Sequence, residues 1–80
     1  MDAQINSALR ILRRKQVEAR IGLSRSTIYA KLHRNPKRPR EYDSTFPKPV
    51  SIGAKAVGWI ESEIDAWLTA QIKKSRRGRP

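Results

Sequence analysis

Gly22-Leu23-Ser24, set between two short apolar-patterned runs, constrains this chain more than any other stretch. Upstream, from about Lys15 to Ile21, Val17 and Ile21 stand four residues apart and share one helical face, while Gln16, Glu18 and Arg20 face solvent. Gly22 ends that helix, as glycine does at a left-handed C-terminal position. Leu23 plugs inward. Ser24 is a good N-cap for a second helix, because its hydroxyl can accept a bond from a free backbone N–H. In that helix Ile28 and Leu32 face inward. Ser26, Tyr29, Ala30 and His33 point away from the core, and Arg25 reaches the same side from the first turn. Two short helices joined by so tight a turn have the shape of a helix-turn-helix. An outward face of Arg, Ser, Thr, Tyr and Ala suits close approach to a DNA major groove, although polar outward faces belong to ordinary surface helices as well.

Charge favours the first of those readings. The net charge is +11, and residues 10–40 carry eleven Lys or Arg against one acid, Glu18. A second basic cluster, Lys73, Lys74, Arg76, Arg77 and Arg79, ends the sequence, while Glu61, Glu63 and Asp65 gather apart from both. A basic half wrapped around a helical motif is the footprint of a polyanion binder. An anionic membrane surface fits less well, because no basic stretch also shows a broad apolar face with aromatic anchors.

The 80 residues suffice for one domain. Such a domain buries only about 60% of the surface its unfolded chain exposes, so the core must be compact. There are no cysteines, hence no disulfide framework and no thiolate zinc site. No apolar run exceeds three residues, far short of a membrane span. The opening residues lack the apolar core of a secretory signal. A soluble, intracellular protein is expected.

Along the chain, residues 1–10 read as a weakly patterned extension in which Ile5 and Leu9 could form one helical turn. Ile11-Leu12-Arg13 is a short extended entry. Residues 33–45 are broken by Pro36 and Pro39 and form a loop whose Arg34, Lys37, Arg38 and Arg40 are candidates for phosphate contact, with Tyr42 and Asp43 folding back onto the domain. Phe46 to Trp59 reads as a hairpin: Val50 and Ile52 share one face, Gly53-Ala54-Lys55 turns, and residues 56–59 return. Pro47 and Pro49 demote the first arm to an edge strand or an extended lead-in. In a small helical domain such a hairpin is a wing. Lys55 at its tip and Lys48 at its base either touch DNA or are turn lysines that touch nothing. A third helix runs from Glu61 or Ser62 to Lys73, with Ile60, Ile64, Trp67, Leu68 and Ile72 on one face. Ser62 and Asp65 resemble a capping box, and the acids at its start and lysines at its end suit the helix dipole. Its stripe closes a core of Val17, Ile21, Leu23, Ile28, Leu32, Phe46 and Val57, with Trp59 and Trp67 assigned to the core rather than to stacking. Residues 75–80 read as a basic tail, disordered alone. The expected divisions are therefore 1–10, a domain at 11–74, and 75–80. The fold class is mainly α with a small β-hairpin.

Three pieces in order carry a resemblance: Gly-Leu-Ser-Arg-Ser-Thr-Ile-Tyr (22–29), Phe-Pro-Lys-Pro-Val (46–50), and Gly-Trp followed by the Glu-Ser-Glu-Ile-Asp-Ala-Trp-Leu helix (58–68). Together, over roughly residues 11–72, the chain resembles the AlpA-type prophage regulators, which are similar to the excisionase and MerR-like winged helix-turn-helix proteins. The resemblance implies a winged helix-turn-helix that binds double-stranded DNA and controls prophage or genomic-island genes, such as an integrase gene, or that assists excision. Carried over by position, Ser24, Arg25, Ser26, Thr27 and Tyr29 fall on the recognition helix and Lys55 on the wing tip. With the flanking polar and cationic residues, the expected DNA-binding set is Arg14, Lys15, Ser24, Arg25, Ser26, Thr27, Tyr29, Lys31, His33, Arg34, Lys48 and Lys55. The longer basic loop at 33–45 and the Arg-rich tail depart from many relatives.

No enzyme constellation is present. A single histidine and no cysteine rule out a Cys–His pair and argue against a histidine-rich metal site, and the four glycines are too scattered to cradle phosphate. Neither cofactor nor metal is expected. The competing functions are a DNA-bending excision factor, a small basic RNA-binding protein, and a module whose positive face binds an acidic protein. A-form RNA's deep, narrow major groove speaks against the second. No long apolar helix is left over for a coiled coil, so a monomer in free solution is expected, with self-association on DNA or contact with an integrase.

Overall fold

A computed structural model describes residues 9–78. The helical turn expected around Ile5 and the last two residues of the basic tail lie outside that range. In chain order the elements are β1 (Ile11–Leu12), α1 (Arg14–Ile21), α2 (Arg25–Leu32), a single 3-10 turn (Pro39–Glu41), β2 (Val50–Gly53), β3 (Ala56–Ile60) and α3 (Glu61–Arg77). The three strands form an antiparallel sheet in the order β1-β3-β2. Three helices and a small sheet make this a mainly α, winged helix-turn-helix fold.

The turn between the first two helices follows the local rules of its residues. Gly22 adopts a positive φ of 71°, and its N–H donates to the Glu18 carbonyl at 2.8 Å, closing α1. Ser24 caps α2, its Oγ accepting from the Thr27 N–H at 3.3 Å. The start of α1 is closed in another way, with the Arg13 N–H donating to Gln16 Oε1 at 2.8 Å.

The core is built on the two indoles. Val17, Ile28, Trp59 and Ile64 are fully buried, and Leu12, Phe46 and Trp67 complete the cluster, with Ile21, Leu23, Leu32 and Leu68 packed at its edge. Each indole N–H finds an acceptor in the segment before the wing: Trp59 Nε1 donates to the Pro47 carbonyl at 3.1 Å and Trp67 Nε1 to Asp43 Oδ2 at 3.0 Å. Phe46 meets Trp67 edge-on, centroids 4.9 Å apart at 80°. These bonds and the ring contact hold the otherwise irregular 42–47 segment against the domain, so Tyr42-Asp43 folds back as expected.

The structure corrects several expectations. The entry segment is a strand: Ile11 pairs with Ile60 and Leu12 with Trp59, so the wing is part of a three-stranded sheet and not a lone hairpin. The turn is Ala54-Lys55, closed by the Gly53–Ala56 pair, with a bulge between Ser51 and Gly53. Val57 is 42% exposed because it lies towards the wing tip, beyond the reach of the core. Ala30 is buried, although expected outside, because the segment after α2 folds over that flank of the helix. The Ser62 capping box does not form. Strand β3 runs straight into α3, and the Glu61 N–H is taken by the Arg10 carbonyl at 2.8 Å, which puts Ser62 inside the helix. Helix α3 continues through Arg77, so Ser75–Arg77 are helical and not a disordered tail. Ile72 is 48% exposed because the helix has by then passed the core.

Gly58 is where the two strand pairs come together. A Cβ built there lies 2.3 Å from Ile11 Cγ2 and 3.1 Å from the Leu12 carbonyl oxygen. A methyl group cannot be fitted without displacing Ile11 and the Leu12 carbonyl, and Arg10, just before β1, supplies the carbonyl that starts α3. Gly58→Ala is expected to destabilise the fold by about 1–3 kcal/mol, the usual cost of overpacking. A urea midpoint equal to that of the parent protein would contradict it.

Candidate nucleic-acid interface

Helix α2 is two turns long. Ile28 points into the core. Arg25, Tyr29 and His33, one per turn, run in single file along another face. The Arg25 guanidinium carbon lies 5.6 Å from the Tyr29 ring centroid, and the Tyr29 and His33 rings are 6.4 Å apart and within 10° of parallel. At the start of the helix the hydroxyls of Ser24, Ser26 and Thr27 cluster, with Ser24 Oγ 3.3 Å from Ser26 Oγ and 3.1 Å from Thr27 Oγ1.

Tyr29 is the centre of this surface, because three concavities adjoin it. One, of about 450 Å³, is walled by Arg13, Arg14, Lys15, Lys55 and Val57, so the wing tip and the start of α1 face each other across it. A second, of about 400 Å³, is shared with Ser26, Ala30, His33, Arg34 and the 35–38 segment. The third, of about 330 Å³, brings in Leu32, His33, Lys48 and Pro49. The fold therefore gathers Lys15, Ser26, Tyr29, His33, Arg34, Lys48 and Lys55 from four separate stretches of chain, with the Arg25 guanidinium over the Tyr29 ring at cation–π distance.

The remaining expected residues are placed differently. Lys31 stands apart: its ammonium lies 5.4 Å from the Trp67 ring centroid, on the side of α2 that faces α3. Thr27 is half-buried and bonded to the cap. Arg14 lines the first concavity, but its guanidinium is paired with Glu18 one turn on. Of the loop cations, Arg34 lies over the Tyr42 ring at 4.7 Å, and Arg38 is tied to Glu41 by bonds of 2.7 and 2.5 Å. Those two hydrogen bonds from Arg38 lower the pKa of the Glu41 carboxyl. Arg38 is thus committed to shaping the loop.

Two features escape a sequence reading. Arg13 and Val57 both line the first concavity. For Arg13 a signal existed, since Arg14 has an acid four residues on and Arg13 has none. Arg20 is not a free cation: it bonds Glu61 Oε2 at 2.8 and 3.1 Å and Asp65 Oδ1 at 3.3 Å, tying the end of α1 to the start of α3. The acids of α3 therefore hold an arginine of the helix-turn-helix as well as complementing a dipole. Among the described residues, no acid lies within ion-pair distance of Lys15, Arg25, Lys48 or Lys55.

Asp43 fixes the loop behind α2. Burial acts to raise its pKa, but bonds from Thr45 and the Trp67 indole together outweigh it, and the carboxyl is held below its usual value. A lowered folded pKa contributes stability that is complete above the unfolded value of about 3.9 and is lost as pH falls towards the folded value beneath it. Thermal unfolding followed from pH 5 to about pH 2 should show this loss. Asp43→Asn, which keeps an acceptor but cannot ionise, should flatten the profile; an unchanged profile would contradict the assignment.

Comparison with known proteins finds a matching family and two relatives. Residues 10–72 match the family model described as prophage CP4-57 regulatory protein (AlpA). The chain is 55% identical over 67 residues to the DNA-binding transcriptional activator AlpA of Escherichia coli K12, covering 84% of this chain and 91% of that protein. It is 39% identical over 69 residues to the uncharacterized protein ORF88 of enterobacteria phage P4, covering 86% of this chain and 68% of that one. No solved structure matches.

Proposed function

The chain belongs to the AlpA family of prophage regulatory proteins, and from that premise we propose that it is a sequence-specific DNA-binding regulator of transcription acting on prophage or genomic-island genes, an integrase gene among them. The observation that carries the reading is the Arg25–Tyr29–His33 file on a capped two-turn helix, flanked by Lys15 and Lys55 across one concavity. Helix α2 enters the major groove, where a guanidinium reads a guanine edge bidentately. Lys15, Lys48 and Lys55 lie on phosphates, and Arg34 adds a contact from the loop. Binding is carried by the helix-turn-helix and the wing, within residues 11–74. A relative's name makes activation the sign of regulation to test first.

A single winged unit with so short a recognition helix reads few base pairs. The protein is therefore expected to be a monomer in free solution and to fill repeated sites on DNA, alone or beside an integrase. It works in the bacterial cytoplasm, on the nucleoid. Selection of bound duplexes from a random pool, followed by titration at rising salt, tests the reading. Three phosphate contacts from Lys15, Lys48 and Lys55 set a log–log salt slope of about −2.7 or steeper. A pool with no enriched motif at any salt would overturn it.

A further inference from the structure

We propose that Tyr29 is a positioning residue for base recognition, its ring holding the Arg25 guanidinium ready to meet a guanine. The proposal rests on the DNA-binding reading above and names the device by which that surface reads sequence.

The four arginines Arg14, Arg20, Arg25 and Arg38 show the contrast. Arg14, Arg20 and Arg38 are each held by carboxylates, which occupy guanidinium N–H donors. Arg25 has no acid within ion-pair distance among the described residues and rests instead near the face of an aromatic ring, 5.6 Å from the centroid. That is within the range of a cation–π contact, about 6 Å. The two kinds of restraint have opposite consequences. A carboxylate takes donors in the guanidinium plane, whereas a ring takes the flat face and leaves the in-plane N–H fork open. The second restrains the arginine while leaving all five of its N–H donors free for a guanine edge.

The ring is itself held. His33 lies nearly parallel to it on the next turn, at 10°, and the His33 backbone N–H donates to the Tyr29 carbonyl at 2.9 Å, closing the end of the helix. Tyr29 is half-buried where the concavities meet, with Lys15, Val57 and Pro49 among its surroundings. Arg25 at the exposed first turn has no comparable packing. A free arginine loses rotamer freedom when it docks, and a pre-stacked one has already lost part of it.

The test has two arms. In the free protein, NMR should show the side-chain protons of Arg25 shifted by the Tyr29 ring current, and the shift should vanish in Tyr29→Leu. On DNA, binding is compared between a selected site and the same site with one guanine pair replaced, for the parent, Arg25→Ala, Tyr29→Leu, Tyr29→Phe and the Arg25→Ala/Tyr29→Leu double variant. Tyr29→Leu should lose discrimination by roughly two- to fivefold, the range of an exposed cation–π contact. The double variant should lose no more than Arg25→Ala, and Tyr29→Phe, which keeps the ring, should restore what Tyr29→Leu loses. The proposal is overturned if Phe fails as badly as Leu, which would make the hydroxyl the contact, or if the two single losses add. A site-selective protein without the ring-current shift overturns the stack alone. A protein with the shift but no preferred sequence overturns the regulatory function, and with it the recognition role of the stack.

Discussion

Trp59→Ala is expected to leave the protein unfolded, or close to it, at 25 °C. Truncating a fully buried tryptophan costs about 3–5 kcal/mol, through lost apolar transfer and the cavity left behind. An 80-residue domain has roughly 4–12 kcal/mol of total stability, at about 0.05–0.15 kcal/mol per residue. At Trp59 the loss does not end with the cavity. The residue pairs with Leu12 across the sheet, and its indole bonds the Pro47 carbonyl. Losing it loosens β1, the lead-in that carries Lys48, and the junction with α3 together. Circular dichroism and urea denaturation would read the result. A cooperative transition near the parent midpoint would show that the core is carried elsewhere.

How much of this was legible in the sequence depends on whether a residue's role is set by its neighbours in the chain. Gly22 and Ser24 act within a few residues, and their roles could be read directly, as could Ile28 facing inward and Tyr29 outward. The indoles could be assigned to the core from their size and spacing. What could not be read depends on pairs distant in sequence. Nothing around Arg20 points to Glu61, 41 residues away, and the same residue types read equally well as a solvated face. Ile11-Leu12 becomes a strand only because Trp59 and Ile60 lie beside it. Ala30 sits on the outer side of an isolated helix and is buried beside residues 34–38, whose polar composition gives no sign of covering it. Ile72 has the helical spacing of a core residue, yet the core ends one turn earlier. The alignment of Arg25, Tyr29 and His33 along α2 follows from helical spacing, whereas the place of the Lys31 ammonium over Trp67 depends on a residue 36 positions away.

Arg25→Ala and Lys55→Ala are expected to weaken DNA binding in different ways, and the difference separates reading from holding. Arg25 stands at the first turn of α2 with its donors uncommitted among the described residues, so its loss should fall on one base pair of the preferred site. A bidentate guanine contact is worth about 1–3 kcal/mol of discrimination, so affinity for the selected site should fall accordingly while that for a duplex altered at the same pair changes little. Lys55 is in the two-residue wing turn, facing Arg13 and Lys15 across a concavity with no sequence information of its own. Its loss should weaken binding to every duplex by a similar factor and make the salt slope shallower by about one counterion. Both positions are exposed and remote from the core cluster, so neither variant should change the unfolding free energy by more than the ~0.5 kcal/mol typical of surface substitutions. The decisive measurement is a matrix of the parent and two variants against two duplexes over a range of salt. Uniform weakening by Arg25→Ala would move recognition off the first turn of α2. Loss of discrimination by Lys55→Ala would make the wing a reader of the groove.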